Sequence, residues 1–172
     1  MMDPGFFNAH EGHKCGKIIR LLRRGEKETM KDVLIKIKTS QMSDEAGEDE
    51  MEFITEGKLY RRNNTMYLLY EESEFSGVPG CKTRLRLREK DVQMKRFGDG
   101  AGAGNEIVFE KGKRNVGYYD TPFGPIEIEI LTNSLSSTVS EEGGGELEID
   151  YDVSLKGLLE GRNKINITVM KQ

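Results

Sequence analysis

The chain has no tryptophan, and its only histidines, His10 and His13, both precede Met30. Everything downstream therefore lacks the side chain that most often serves as general base and nitrogen metal ligand at neutral pH. Cysteine is almost as scarce. Cys15 and Cys81 are the only two, and they stand in unlike contexts, which gives no disulfide framework of the secreted kind and fits a reducing compartment. Long apolar runs are missing as well: nothing approaches the roughly 20 apolar residues of a membrane helix. The opening Met1-Met2-Asp3-Pro4-Gly5-Phe6-Phe7 lacks the basic-then-apolar order of a signal peptide. These absences point to a cytoplasmic protein with no membrane partner, no metal and no cofactor.

What is present is charge. Formal net charge is −4 over 172 residues, a length that suits one domain with a real core. Residues 1–29 carry six Lys/Arg against four Asp/Glu, leaving twenty against twenty-six downstream, so a basic leader precedes an acidic body. An acidic body argues against a dedicated nucleic-acid binder, whose affinity comes from cations that release counterions from phosphate.

The leader shows no period-two pattern. Its one apolar cluster, Ile18, Ile19, Leu21 and Leu22, is set among Lys17, Arg20, Arg23 and Arg24 and reads as a solvated tail. His10, His13 and Cys15 supply three metal-ligand types but no fourth at a recognised zinc spacing. The stretch from Arg24 to Thr29 can be written in purine-rich codons resembling a bacterial ribosome-binding site, which makes Met30 a candidate start. The expected division is an extension over 1–29 and a β-barrel domain over 30–172.

From Met30 on, alternation with period two dominates, the mark of half-buried strands. Val33, Ile35 and Ile37 share one face, with Lys36 and Lys38 on the other. Met51, Phe53, Thr55 and Leu59 alternate with Glu52, Glu56 and Lys58, and Asn63-Asn64 makes a hairpin turn into Met66–Tyr70, because asparagine tolerates the left-handed backbone of tight hairpins. The cleanest run sets Thr83, Leu85 and Leu87 inward and Lys82, Arg84, Arg86 and Arg88 outward. Val92 and Met94 continue inward, and Arg96 follows in the same phase. Ile126, Ile128 and Ile130, then Leu147 to Leu155, then Ile165, Ile167 and Val169 complete the pattern. Eight to ten strands joined by short turns, with no helical window, predict an all-β antiparallel up-and-down sheet closed into a barrel, since closure removes exposed edges.

The chain resembles the YwiB-like bacterial proteins of uncharacterised function from Met30 to about Met170. Four segments carry the resemblance: Gly57-Lys58-Leu59-Tyr60, Tyr67-Leu68-Leu69-Tyr70-Glu71, Arg96-Phe97-Gly98, and Tyr119-Asp120-Thr121-Pro122-Phe123-Gly124. It implies a lipocalin-like barrel of the calycin group and no established reaction.

Chemistry-bearing motifs are few. Gly98–Gly104 lacks both Gly-x-Gly-x-x-Gly and the Walker pattern and leads into a strand, so it reads as a hairpin loop, and Cys81 interrupts the Gly-Lys pair a Walker ending needs. Cys81 itself reads as a small apolar residue at a strand start. Arg96 is harder to place, because an ionised group at a core position must be paired or solvated. It either closes one barrel end against a carboxylate or carbonyls, or anchors an acidic ligand, with Tyr70, Tyr118, Tyr119, Thr121 and Phe123 as candidate wall and gate. The Lys82, Arg84, Arg86, Arg88 row is the candidate interaction strip for protein or RNA; it carries no interleaved aromatics of its own, which predicts weak, salt-sensitive nucleic-acid binding. The leading expectation is a non-enzymatic barrel that binds a small molecule of unknown identity or serves as an accessory binding module. An unrecognised enzyme, an interaction module and a homo-oligomer stay open beside it.

If the leader lies outside the fold, a chain beginning at Met30 melts within a few degrees of the full chain in differential scanning calorimetry. Loss of cooperative unfolding on that truncation would make residues 1–29 part of the domain.

Overall fold

The computed structural model describes residues 29–43, 47–76, 80–99, 103–156 and 159–172. The leader and its His10, His13 and Cys15 lie outside them. Ten strands run in chain order: β1 (Lys31–Ser43), β2 (Gly47–Arg62), β3 (Thr65–Glu71), β4 (Cys81–Leu87), β5 (Asp91–Gly98), β6 (Glu106–Glu110), β7 (Arg114–Thr121), β8 (Gly124–Ser137), β9 (Gly145–Leu155) and β10 (Leu159–Lys171). Among the described residues the only helical element is a 3-10 turn at Glu74–Ser76. No helix of the described residues is long and apolar enough to cross a membrane.

All ladders are antiparallel, and each strand pairs with its neighbours in sequence except at one point. The sheet order β6-β5-β4-β3-β2-β1-β10-β9-β8-β7 puts β1 and β10 side by side and leaves β6 and β7 as the two edges. The result is a nearly closed up-and-down barrel whose seam falls in mid-chain. At that seam the Asn115 side-chain amide donates to the Val108 carbonyl at 3.0 Å, so a side chain supplies a bond that no ladder makes. The connection between β6 and β7 also leans on β8, with Gly112 N donating to Thr132 O at 2.8 Å and Thr132 N to Lys113 O at 3.2 Å.

The alternation read from the sequence is the alternation observed. Val33, Ile35, Ile37, Leu59, Leu68, Leu85, Val92, Ile130, Leu147, Ile149 and Ile167 are buried, while the residues between them face out. Burial of one such side chain is worth about 1.5–3 kcal/mol, and branched side chains fill the pleated inner wall without polar atoms to satisfy. Phe109 on β6 and Tyr151 on β9 bring their rings to 4.9 Å, a contact between strands that share no ladder. Gly57 shows how closely the wall is packed: a Cβ there would lie 2.2 Å from Ile35 Cδ1 and 2.9 Å from the Leu69 carbonyl. Asn63 and Asn64 both adopt left-handed φ, 48° and 61°, which gives the tight hairpin between β2 and β3 the twist its strands need.

Candidate functional site

The barrel has two mouths of different chemistry. At the mouth formed by the end of β3, the start of β4 and the end of β5, the registers Tyr70↔Thr83 and Thr83↔Arg96 place three inward residues in one row. Arg96 continues the inward phase of Val92 and Met94 and meets the carboxylate of Glu72 just past β3, Nε to Oε1 at 3.5 Å. The Glu72 side chain is 3% exposed and that of Arg96 22%, so the pair is largely withdrawn from water. The buried Thr83 hydroxyl donates to the same Glu72 oxygen. Tyr70 is buried here, and desolvation, reinforced by the charge of Glu72, pushes its phenol well above the usual tyrosine range; Arg96 and the hydrogen bond with Thr83 act the other way. Tyr151 is raised too, chiefly by burial, with Asn163 and the charge of Arg96 opposing. The group can hold one cation, one anion and two neutral phenols inside a barrel end.

The remaining residues singled out in the sequence do not join it as a set. Tyr118 is 63% exposed on β7, and Phe123, at the tip of the turn between β7 and β8, is 100% exposed. Thr121 is occupied within that turn, donating to the Gly124 carbonyl at 2.6 Å and accepting from Phe123 N at 3.2 Å. The side chain of Tyr119 lies outside the described residues. Cys81 is buried at the start of β4, opposite Gly98, in keeping with its strand-start reading. Among the described residues no three His, Cys, Asp or Glu side chains converge as a metal site.

The opposite mouth holds a feature that sequence reasoning missed. Lys31, Leu59, Tyr60, Arg61, Met66 and Glu141 help to line a cleft of about 560 Å³. Leu59 is buried at its floor and Met66 half-buried beside it. At the rim Arg61 pairs with the Glu141 carboxylate and also donates to Asn64, while the Lys31 ammonium donates to the Glu141 carbonyl. The Asn63-Asn64 turn was a usable signal, since it sets Arg61 and Met66 across one hairpin. No pattern in the sequence brings Glu141 to them.

The basic row occupies the outer wall as its alternation requires. Arg84 lies over the rings of Tyr67 and Phe97, 5.7 and 5.0 Å from their centroids, and Lys95 sits 5.7 Å from that of Phe97. Tyr67 also stacks on Tyr60 at 5.1 Å with the planes 8° apart. The row itself has no aromatics, but the strands on either side supply them, a cross-strand arrangement invisible to a reading along one strand.

Comparison with known proteins bears on the fold and the family. Residues 35–167 match the family model described as a domain of unknown function, DUF1934. The "Uncharacterized beta-barrel protein YwiB" of Bacillus subtilis (strain 168) is 31% identical over 129 residues, covering 75% of this chain and 87% of its own. The crystal structure of the Bacillus subtilis ywiB protein superposes with a TM-score of 0.72 at 24% identity, covering 83% of this chain and 93% of that one, a likeness of fold.

Two outcomes follow from the inner pair and its phenols. Arg96→Met keeps much of the volume and leaves Glu72 buried without its cation, so urea melts should show a loss of about 2–4 kcal/mol, part of it recovered in Glu72→Gln/Arg96→Met. The raised phenols act in the alkaline range. Unfolded tyrosine ionises near pH ~10 while Tyr70 stays protonated in the fold, so the stability it carries is whole below that pH and falls as pH rises toward the folded value. Between pH ~10 and ~11 the parent should lose about 1 kcal/mol more than Tyr70→Phe, checked by urea melts at both pH values.

Proposed function

The chain belongs to the DUF1934 family, and from that premise we propose that it is a non-enzymatic, lipocalin-like barrel of the calycin kind that binds a small anionic amphiphile in the bacterial cytoplasm. Up-and-down barrels take small molecules where the ring of strands opens, in pockets of about 300–1,000 Å³ with apolar walls and a few polar groups. The observation that carries this reading is the cleft of about 560 Å³ around Leu59, Met66 and Arg61.

The apolar part of a ligand would rest on Leu59, Met66 and the ring of Tyr60. A carboxylate or phosphate head would reach Arg61 by exchanging with Glu141, and Lys31, which contacts the Glu141 carbonyl, lies beside it. An exchange of one rim carboxylate for another costs little, because both partners are half-exposed and screened by water. The other mouth serves this role less well. Arg96 is already matched by Glu72, and drawing it toward a ligand would strand a buried carboxylate. Cytoplasmic placement is supported by the scarcity of cysteine, and bacterial origin by the Bacillus relative.

The test uses 1-anilinonaphthalene-8-sulfonate, an anionic amphiphile that fluoresces on apolar surfaces. Saturable binding to the native chain should weaken at least fivefold in Arg61→Ala and in Met66→Glu, with Arg96→Met binding as the parent does. Binding that is unsaturable, or indifferent to both mouth substitutions in proteins that still melt cooperatively, overturns the assignment of the cleft. Native mass spectrometry of the chain purified from its own host would show a retained small molecule directly.

A further inference from the structure

Along most of the barrel's outer wall, cations are matched by carboxylates on the next strand. Lys36 meets Glu52 at 3.0 Å, Lys38 meets Glu50 at 3.2 Å, Arg114 meets Glu129, and Arg162 meets Asp150 at 2.8 Å. The outer face of β3, β4 and β5 follows that rule only at its margins: Lys82 pairs with Glu71 at 3.0 Å, Arg88 with Asp91 at 2.9 Å, and Lys95 with Glu106 at 3.2 Å. Between them Arg84 and Arg86 form no salt bridge with any described residue. Arg84 is held by the rings of Tyr67 and Phe97, and Arg86 Nε is buried with no hydrogen-bond acceptor among the described residues. Carboxylates outnumber cations in this chain, yet among the described residues none pairs with these two guanidinium groups.

The surroundings say what would. Registers Tyr60↔Tyr67, Tyr67↔Arg86, Arg86↔Gln93 and Lys82↔Phe97 lay rings, cations and one amide side by side across four strands. Along β4 outward side chains repeat every 6.6–7 Å or so, giving a linear array of positive charge with rings beside it. A linear polyanion supplies charge at matching intervals, and a single-stranded one also offers unpaired bases whose faces can stack on Tyr67 and Phe97. A duplex keeps those faces hidden, and this barrel wall offers no helix or two-stranded ribbon to enter a groove.

We propose that the outer face of β3–β5 binds single-stranded nucleic acid, with backbone phosphates at Arg84 and Arg86 and bases against Tyr67 and Phe97. The acidic balance of the whole chain is compatible with this, because binding answers to the local field, and Glu71, Asp91 and Glu106 beside this face are already engaged by Lys82, Arg88 and Lys95. The face meets the mouth cleft at Tyr60, which stacks on Tyr67, but Arg84, Arg86 and Phe97 line no part of that cleft, so their substitution tests this face apart from the small-molecule reading.

Fluorescence anisotropy of the full chain with labelled oligouridine, oligothymidine and duplex DNA, each of about 12 nucleotides or base pairs, tests it. Both single strands should bind more tightly than the duplex, and contact with two to four phosphates should weaken oligouridine binding about seven- to fifty-fold between about 50 and about 200 mM salt. Arg84→Gln/Arg86→Gln should flatten the salt slope by about 1.4, whereas Phe97→Ser should weaken binding about fivefold or more at unchanged slope. Each variant must melt cooperatively near the parent temperature. Where Phe97→Ser melts early, Tyr67→Ser tests the stacking in its place. No binding at low salt, equal binding of duplex, or binding indifferent to these substitutions in folded protein overturns the proposal and leaves the face to a protein partner.

Discussion

The ladder between β1 and β10 is the interaction on which the rest depends. Without it the chain would be two meanders, β1–β6 and β7–β10, each with an exposed apolar face and two open edges. Ten residue pairs, from Val33↔Lys171 to Met42↔Arg162, join them. Ile35↔Val169 and Ile37↔Ile167 meet on the inner face, so this longest-range pairing in the chain is also among its driest. Its loop-closure entropy is the largest the fold has to overcome, which places this protein among the slower-folding β topologies.

Closure at that point also explains where the barrel is weakest. A ring of strands made by pairing the chain ends can leave its gap only in mid-chain, and it falls between β6 and β7. There a single contact replaces a ladder, the Asn115 amide on Val108 O, while the Phe109 ring of β6 packs against Tyr151 of β9. Edge protection is achieved by proximity and by side chains in place of continuous pairing.

Within the ring, polarity is sorted by height. The middle is lined by branched aliphatic side chains, one mouth is held by a buried Arg96–Glu72 pair with two neutral phenols nearby, and the other opens into a cleft with an apolar floor and a charged rim. A buried ion pair gains little net stability over an apolar substitute of the same volume, while breaking it is costly. It links the end of β5 to the residue just past β3, across β4. The outer wall is sorted as well, with ion-paired rows on several strands, and Arg84 and Arg86 of β4, which pair with no described carboxylate, beside the rings of Tyr67 and Phe97.

Alternation by itself determined most of this architecture. Period two fixes which side chains share a face, so the inward sets on β1, β4, β8, β9 and β10, the inward phase of Arg96 and the outward phase of Lys82, Arg84, Arg86 and Arg88 were all legible residue by residue. The Asn63-Asn64 hairpin was legible for the same local reason, a backbone that asparagine tolerates. Tertiary structure decided what those faces meet. Glu72 sits in a connection with no alternation to mark it, and only the shift from β3 to β4 and β5 brings it to Arg96. Tyr67 and Phe97 flank Arg84 because of cross-strand register, and Glu141 reaches Arg61 because β9 begins at the same mouth where β2 ends. A linear pattern records the direction of each side chain; its neighbours across the sheet depend on register and closure, which are properties of the folded ring.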